Sequence, residues 1–233
     1  MFVTPFVPTM QIGDAVPGTG LIDQTGRAIS LQAFRGSTLV ISFIYTRCPD
    51  PRECPLVSAK FKQLQNDLRT APVHLVELTL DPKHDSAAVL RRYGAYFDAN
   101  PRRWTLATGR PDDVRELEQR LGVFVAAGTP SEPIVHTESV VLIDDAGRIA
   151  DRIDGVSWNV DDVAARARAL SGTQANAIAL LRLALSRGVS ALCGSGGVAG
   201  ISVGAALLLF AAIIGAFGIG IARIFRMNFK SPD

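Results

Sequence analysis

Cysteine is scarce in this sequence, with three in 233 residues. That excludes a small domain held together by a disulfide framework. Histidine is equally rare, also three. Aromatic residues make up 7%, and no run of Lys or Arg forms a basic stripe. The formal net charge is only +2. Nucleic-acid binding needs clustered cations to meet phosphates, so nothing here points to it. No internal repeat is visible, and no low-complexity tract outside one apolar segment near the C-terminus. What the chain does hold is apolar mass: 48% hydrophobic residues, enough for a domain core and an appendage.

The appendage is the C-terminal segment. No charged residue occurs from Gly188 to Ala222. Residues 198–222, VAGISVGAALLLFAAIIGAFGIGIA, exceed the ~20 apolar residues that a helix needs to cross a bilayer. A single transmembrane helix is expected there. Residues 173–197 read as an amphipathic linker and 223–233 as a short basic tail. Arg223, Arg226 and Lys230 follow the span, while Arg182 and Arg187 precede it. The slight excess of positive charge after the span favours a cytoplasmic tail with the soluble part on the extracytoplasmic, periplasmic face, a cytoplasm-facing domain being the alternative. The opening MFVTPFVPTMQIGD has neither a basic n-region nor a long apolar h-region, and is read as no signal peptide. Cys193, at the membrane edge, is read as a small packed hydrophobe.

Residues 1–172 form the soluble domain. Thr38–Tyr45 is a continuous apolar run, the mark of a central buried strand. Pro55 suits the first turn of the helix that follows. Val73–Leu80 reads as a strand, and Ala87–Phe97 as a helix capped by Asp85 or Ser86. Trp104–Ala107 is a short strand and Pro111–Leu121 a helix that Gly122 ends. Ser139–Ile143 and Arg148–Ile153 make a hairpin through DDAG, and Val160–Leu170 is a closing helix. Strands alternating with helices predict an α/β, thioredoxin-like fold. Its central mixed sheet is parallel in the middle, antiparallel at the hairpin and flanked by helices.

Two of the cysteines sit in CPDPREC, residues 48–54, between the buried strand and its helix. A helix N-terminus carries partial positive charge, which favours thiolate at Cys54. Thiolate is the form that attacks disulfides and binds soft metals. Two sulfurs leave a metal under-coordinated. His74 reads as a strand-edge residue and His84 as a solvated turn residue. His136 lies just ahead of the penultimate strand, where a third ligand would have to come from. Two thiolates and an imidazole favour Cu(I) over hard cations, and suit zinc less well. A redox disulfide between Cys48 and Cys54 is the competing reading, and it does not need His136.

Three segments together carry a family resemblance: IYTRCPDPRECP, LTLDPKHDSAAVLRRYGAYFDANPRRWTLATG and HTESVVLIDDAGRI. Over residues 10–170 the chain resembles the Sco/SenC proteins, the membrane-anchored copper chaperones of cytochrome c oxidase assembly. The resemblance implies copper held by Cys48, Cys54 and His136, with Asp81 supporting the site without binding the metal. It implies a metallochaperone rather than an enzyme in the strict sense. Its partner would be a copper-accepting membrane oxidase subunit, with a thioredoxin-like reductant for the cysteine pair. Two features depart from the family. Five residues separate the cysteines, more than is usual there, and the predicted anchor is C-terminal where family members carry an N-terminal one. The alternative function is a thiol–disulfide oxidoreductase without copper delivery, Cys48 and Cys54 being the redox pair.

Overall fold

The computed structural model describes residues 7–126 and 133–172. The predicted linker, span and tail at 173–233, with Cys193, lie outside the described residues. Among the described residues no helix is long and apolar enough to cross a membrane.

Seven strands form one sheet, in the order β2-β1-β5-β4-β3-β6-β7. In chain order they are β1 (Leu21–Asp23), β2 (Ala28–Ile29), β3 (Thr38–Ile44), β4 (Val73–Thr79), β5 (Trp104–Gly109), β6 (Ser139–Ile143) and β7 (Ile149–Asp154). The helices are α1 (Cys54–Asp67), α2 (Ala87–Tyr96), α3 (Pro111–Arg120) and α4 (Val160–Leu170). Strands β3, β4 and β5 run parallel, and β6, β7, β1 and β2 add antiparallel pairs at both sides. This is the expected mixed α/β sheet flanked by helices.

The centre of the sheet follows from the most apolar run. β3 is buried at all seven positions, because β4 and β6 pair with both its edges and helices cover it. β1 is three residues long, too short for a periodicity to show, yet it pairs with β5 from Leu21↔Gly109 to Asp23↔Ala107. β2 lies in the short run AISL that follows the turn signal QTGR at 24–27, and Gly26 of that turn sits at φ +87°, where a side chain would be strained. The cap of α2 is Ser86, whose hydroxyl accepts from Val89 N–H. Asp85 is used elsewhere.

His74 sits at the opening of its strand, as expected, being the second residue of β4, which lies between β3 and β5. Its ring stacks on Phe34 at 4.4 Å between centroids, and Nε2 lies 2.8 Å from Thr105 Oγ1. Burial pushes its pKa down to about 4, so the ring is neutral and structural.

Among the carboxylates buried in the described residues, Glu77 ties three elements together. Glu77 of β4 is fully buried between Ser58 of α1 and Trp104 of β5. Its Oε1 is 2.8 Å from Ser58 Oγ, and its Oε2 accepts from Trp104 Nε1 at 3.2 Å. Ser58 Oγ also meets Tyr93 OH of α2 at 2.8 Å. Burial pushes Glu77 up to about 8, so at neutral pH it is a neutral acid tying α1, α2 and β5 together.

Candidate metal centre

Topology brings the cysteine and histidine loops to one edge. β3 and β4 are parallel, so the chain leaves both at the same end. β6 runs antiparallel to β3, pairing Leu39↔Ile143 through Ile41↔Val141. The start of β6 therefore lies beside the end of β3. Residues 45–53 leave that end, residues 80–86 leave β4 next to them, and residues 136–138 arrive there ahead of β6. Such a crevice beyond the carboxyl ends of parallel strands is where α/β sheets place their sites.

The cysteine loop is held from below by Asp85. This wholly buried carboxylate accepts from Thr46 N–H at 3.0 Å, from the Thr46 hydroxyl, from the Thr79 hydroxyl at 2.6 Å, and meets His84 Nδ1 at 3.0 Å. Asp85→Asn would set an amide N–H against donors that now meet a carboxylate. It is expected to cost about 2 kcal/mol, read as a lower urea midpoint at unchanged slope. Asp81 sits one step further out. Its carboxylate pairs with Arg47, the residue before Cys48. Asp50 stiffens the loop tip by accepting from Arg52 N–H at 2.8 Å and pairing with its guanidinium.

The structure brings Cys54, His136 and one unforeseen residue, Glu138, together. One donor atom from each lies within 4.8 Å of the other two. Cys54 is the first residue of α1 and is completely buried, whereas Cys48 on the loop is half-buried. Cys48 stands beside the trio. It is in side-chain contact with Cys54, and its Sγ is 3.7 Å from Glu53 Oε2. Glu53 and Glu138 went unnoticed in the sequence because an acid next to a loop usually faces water. A signal existed for Glu138: in H-T-E, positions i and i+2 of an extended chain point to the same side.

The electrostatics differ from those expected of an activated thiol. Cys54 does sit at a helix N-terminus, but burial outweighs the dipole and pushes its pKa far up, against a backbone hydrogen bond at Tyr45 that pulls it down. The neighbouring Cys48 and Glu138 push in the same direction as burial. Glu138 is raised to about 7, by burial first and then by repulsion from Glu53. Tyr45, whose ring meets His136 edge-on at 6.2 Å, is also raised, by burial and by Cys48. Every one of these groups resists negative charge in the absence of a cation.

His136 is poised as a ligand. Its side chain is 2% exposed, and burial lowers its pKa towards the neutral ring. Nδ1 lies 3.2 Å from Thr137 O, a contact only a ring N–H can make favourably. The neutral ring then presents a bare lone pair at Nε2. That atom lies 3.2 Å from Glu138 Oε1, and neither has a hydrogen-bond partner among the described residues. Two buried acceptors so close repel each other unless a proton or a cation lies between them. Soft sulfur, imidazole nitrogen and these orphaned atoms fit a transition-metal ion, and fit hard cations poorly.

The family model SCO1/SenC matches residues 18–172. The cattle protein "Protein SCO2 homolog, mitochondrial" (Bos taurus) is 28% identical over 152 residues, covering 61% of this chain and 56% of that one. The chain thus spans little more than half the length of that relative. The "SCO1 protein homolog" of Bacillus subtilis is 23% identical over 138 residues, 58% of this chain and 70% of that one. In structure, copper-bound ScoI of Bradyrhizobium japonicum superposes with a TM-score of 0.58 at 22% identity, covering 69% of this chain and 99% of that one.

Proposed function

This chain belongs to the SCO1/SenC family, and from that membership we propose that it is a copper-binding assembly factor that delivers Cu(I) to a respiratory oxidase. The observation that carries the reading is the buried, unpartnered Nε2 of His136 within reach of the Cys54 sulfur. Cys48, Cys54 and His136 hold the ion, and Asp81 steadies the loop through Arg47. Copper-bound relatives support the choice of metal, as does a relative named a copper-binding protein.

The geometry assigns the residues distinct tasks. Copper arrives as cargo and displaces the thiol protons. The raised pKa of Cys54 makes that proton release a cost at neutral pH and makes binding tighten as pH rises. Cys48 is half-buried and Cys54 wholly buried, so an acceptor thiolate reaches the ion from the Cys48 side and replaces that sulfur first. Cys54 and His136, deeper in, let go last. The acceptor is a membrane oxidase subunit. Residues 198–222 anchor the chain as a transmembrane helix, with the described domain on the extracytoplasmic face, and the tether raises its concentration near that acceptor.

The contact between the two thiols favours a second activity on the same residues. Cys48 and Cys54 reduce a disulfide of the acceptor. One S–S bond forms here, one breaks there, and two electrons and two protons pass to the acceptor. A thioredoxin-like protein would restore the dithiol.

Anaerobic competition for Cu(I) with a chromophoric chelator tests the copper reading, using the reduced full chain and His136→Ala. Expected are tight one-to-one binding and a loss of at least ~10-fold in the variant, since even partners outside the ligand set are worth roughly 10–100-fold. Equal affinity in both proteins would leave a two-thiolate clamp. No tight binding in the wild type would sink the copper reading.

A further inference from the structure

Glu138 is unexplained by a site made of two cysteines and one histidine. It lies inside the cluster rather than at its rim: its side chain is 13% exposed, and its Oε1 is buried without a hydrogen-bond partner. Its nearest polar neighbour is the equally unpartnered Nε2 of a side chain that is 2% exposed. A carboxylate kept only for folding would be met by donors, as Asp85 beneath the same loop is met by Thr46 and Thr79. Glu138 instead shares a 4.8 Å sphere with Cys54 and His136. Its place in the chain fixes it there: the backbone of Glu138 accepts from Gly155 N–H at 2.7 Å, and Ser139 begins β6.

We infer that Glu138 is a fourth metal donor, which lets the site hold a divalent first-row cation in four-coordinate fashion as well as Cu(I). This rests on the metal site proposed above. Two sulfurs and a nitrogen satisfy Cu(I), a soft ion content with three ligands. A carboxylate oxygen adds little to it. Borderline divalent ions want four ligands and accept oxygen readily. Two thiolates and a carboxylate also bring three negative charges, more than a monovalent ion needs and better matched to a divalent one. Glu138 therefore sets which oxidation state the site accepts, and Cys48, Cys54 and His136 set that it binds metal at all.

The experiment compares the reduced, metal-free full chain with Glu138→Gln under anaerobic conditions. Co(II) serves as the divalent probe because its absorption reports thiolate ligation and tetrahedral geometry directly. Each protein is titrated with Co(II) and, separately, with Cu(I). The inference expects Glu138→Gln to lose about tenfold or more in Co(II) affinity, with altered ligand-field bands, while its Cu(I) affinity stays within about threefold. Retained Cu(I) binding also shows that the variant has assembled its site. Equal losses for both ions, or an unchanged Co(II) affinity and spectrum, would overturn it. If the wild type binds Co(II) but not Cu(I), the copper reading fails, and Glu138 still stands or falls on the Co(II) comparison.

Discussion

Cys54→Ala is expected to lower Cu(I) affinity by ~100-fold or more while leaving the metal-free fold intact. The size follows from the energy that metal sites commonly hold. About 10–16 kcal/mol shared among four ligands is roughly 3 kcal/mol each, or ~100-fold in affinity. Cys54 is completely buried at the first turn of α1, where its thiol's polar contacts are one backbone hydrogen bond at Tyr45 and the Cys48 thiol. A buried thiol packs as a small hydrophobe, so alanine removes the ligand at little structural cost, whereas serine would bury a hydroxyl. Competition titration gives the affinity and thermal unfolding of the metal-free protein gives the control. Undiminished affinity in a folded Cys54→Ala would remove the deepest sulfur from the ligand set.

Glu77→Gln is expected to stabilise the protein increasingly as pH rises from about 4.5 to about 8, and to change little below pH 4.5. Ser58 Oγ–H donates to Glu77 Oε1, Trp104 N–H donates to the other carboxyl oxygen, and Ser58 Oγ also meets Tyr93 OH. Glutamine keeps the size and both contacts once Ser58 turns its hydroxyl to Tyr93 and accepts from the amide N–H. The sign follows from linkage. Glu77 has a folded pKa of about 8 against an ordinary 4.5, so the folded state holds a proton that the unfolded chain gives up. Its contribution is fully present below pH 4.5, declines as pH rises, and is gone once pH passes 8. The full difference is on the order of 3–5 kcal/mol. Urea unfolding of both proteins at several pH values isolates this group from other titrating residues. Parallel pH profiles would mean that Glu77 ionises normally in the core.

How far the sequence carried can be argued residue by residue. The β3–α1 unit was legible because an unbroken apolar run followed by a proline-led helix has few other solutions. The placement of His136 followed from topology, since a strand antiparallel to β3 must begin where β3 ends. Depth was not legible. The position of Cys54 at a helix start speaks of its electrostatics, but only the packing of α1 against β3 shows it is wholly buried, and burial reversed the expected shift. Glu138 was hidden by its type, because acids are assigned to water unless a partner is seen. Of the two cap candidates for α2, Ser86 caps it, and Asp85 is the buried post on which the cysteine loop rests.

The most direct test of the central claim is copper K-edge X-ray absorption on the reduced full chain loaded with one equivalent of Cu(I). The account predicts a first shell of two sulfurs and one imidazole nitrogen, with the nitrogen signal lost in His136→Ala. A shell of nitrogen and oxygen alone, or a sulfur shell unaltered by His136→Ala, would contradict it.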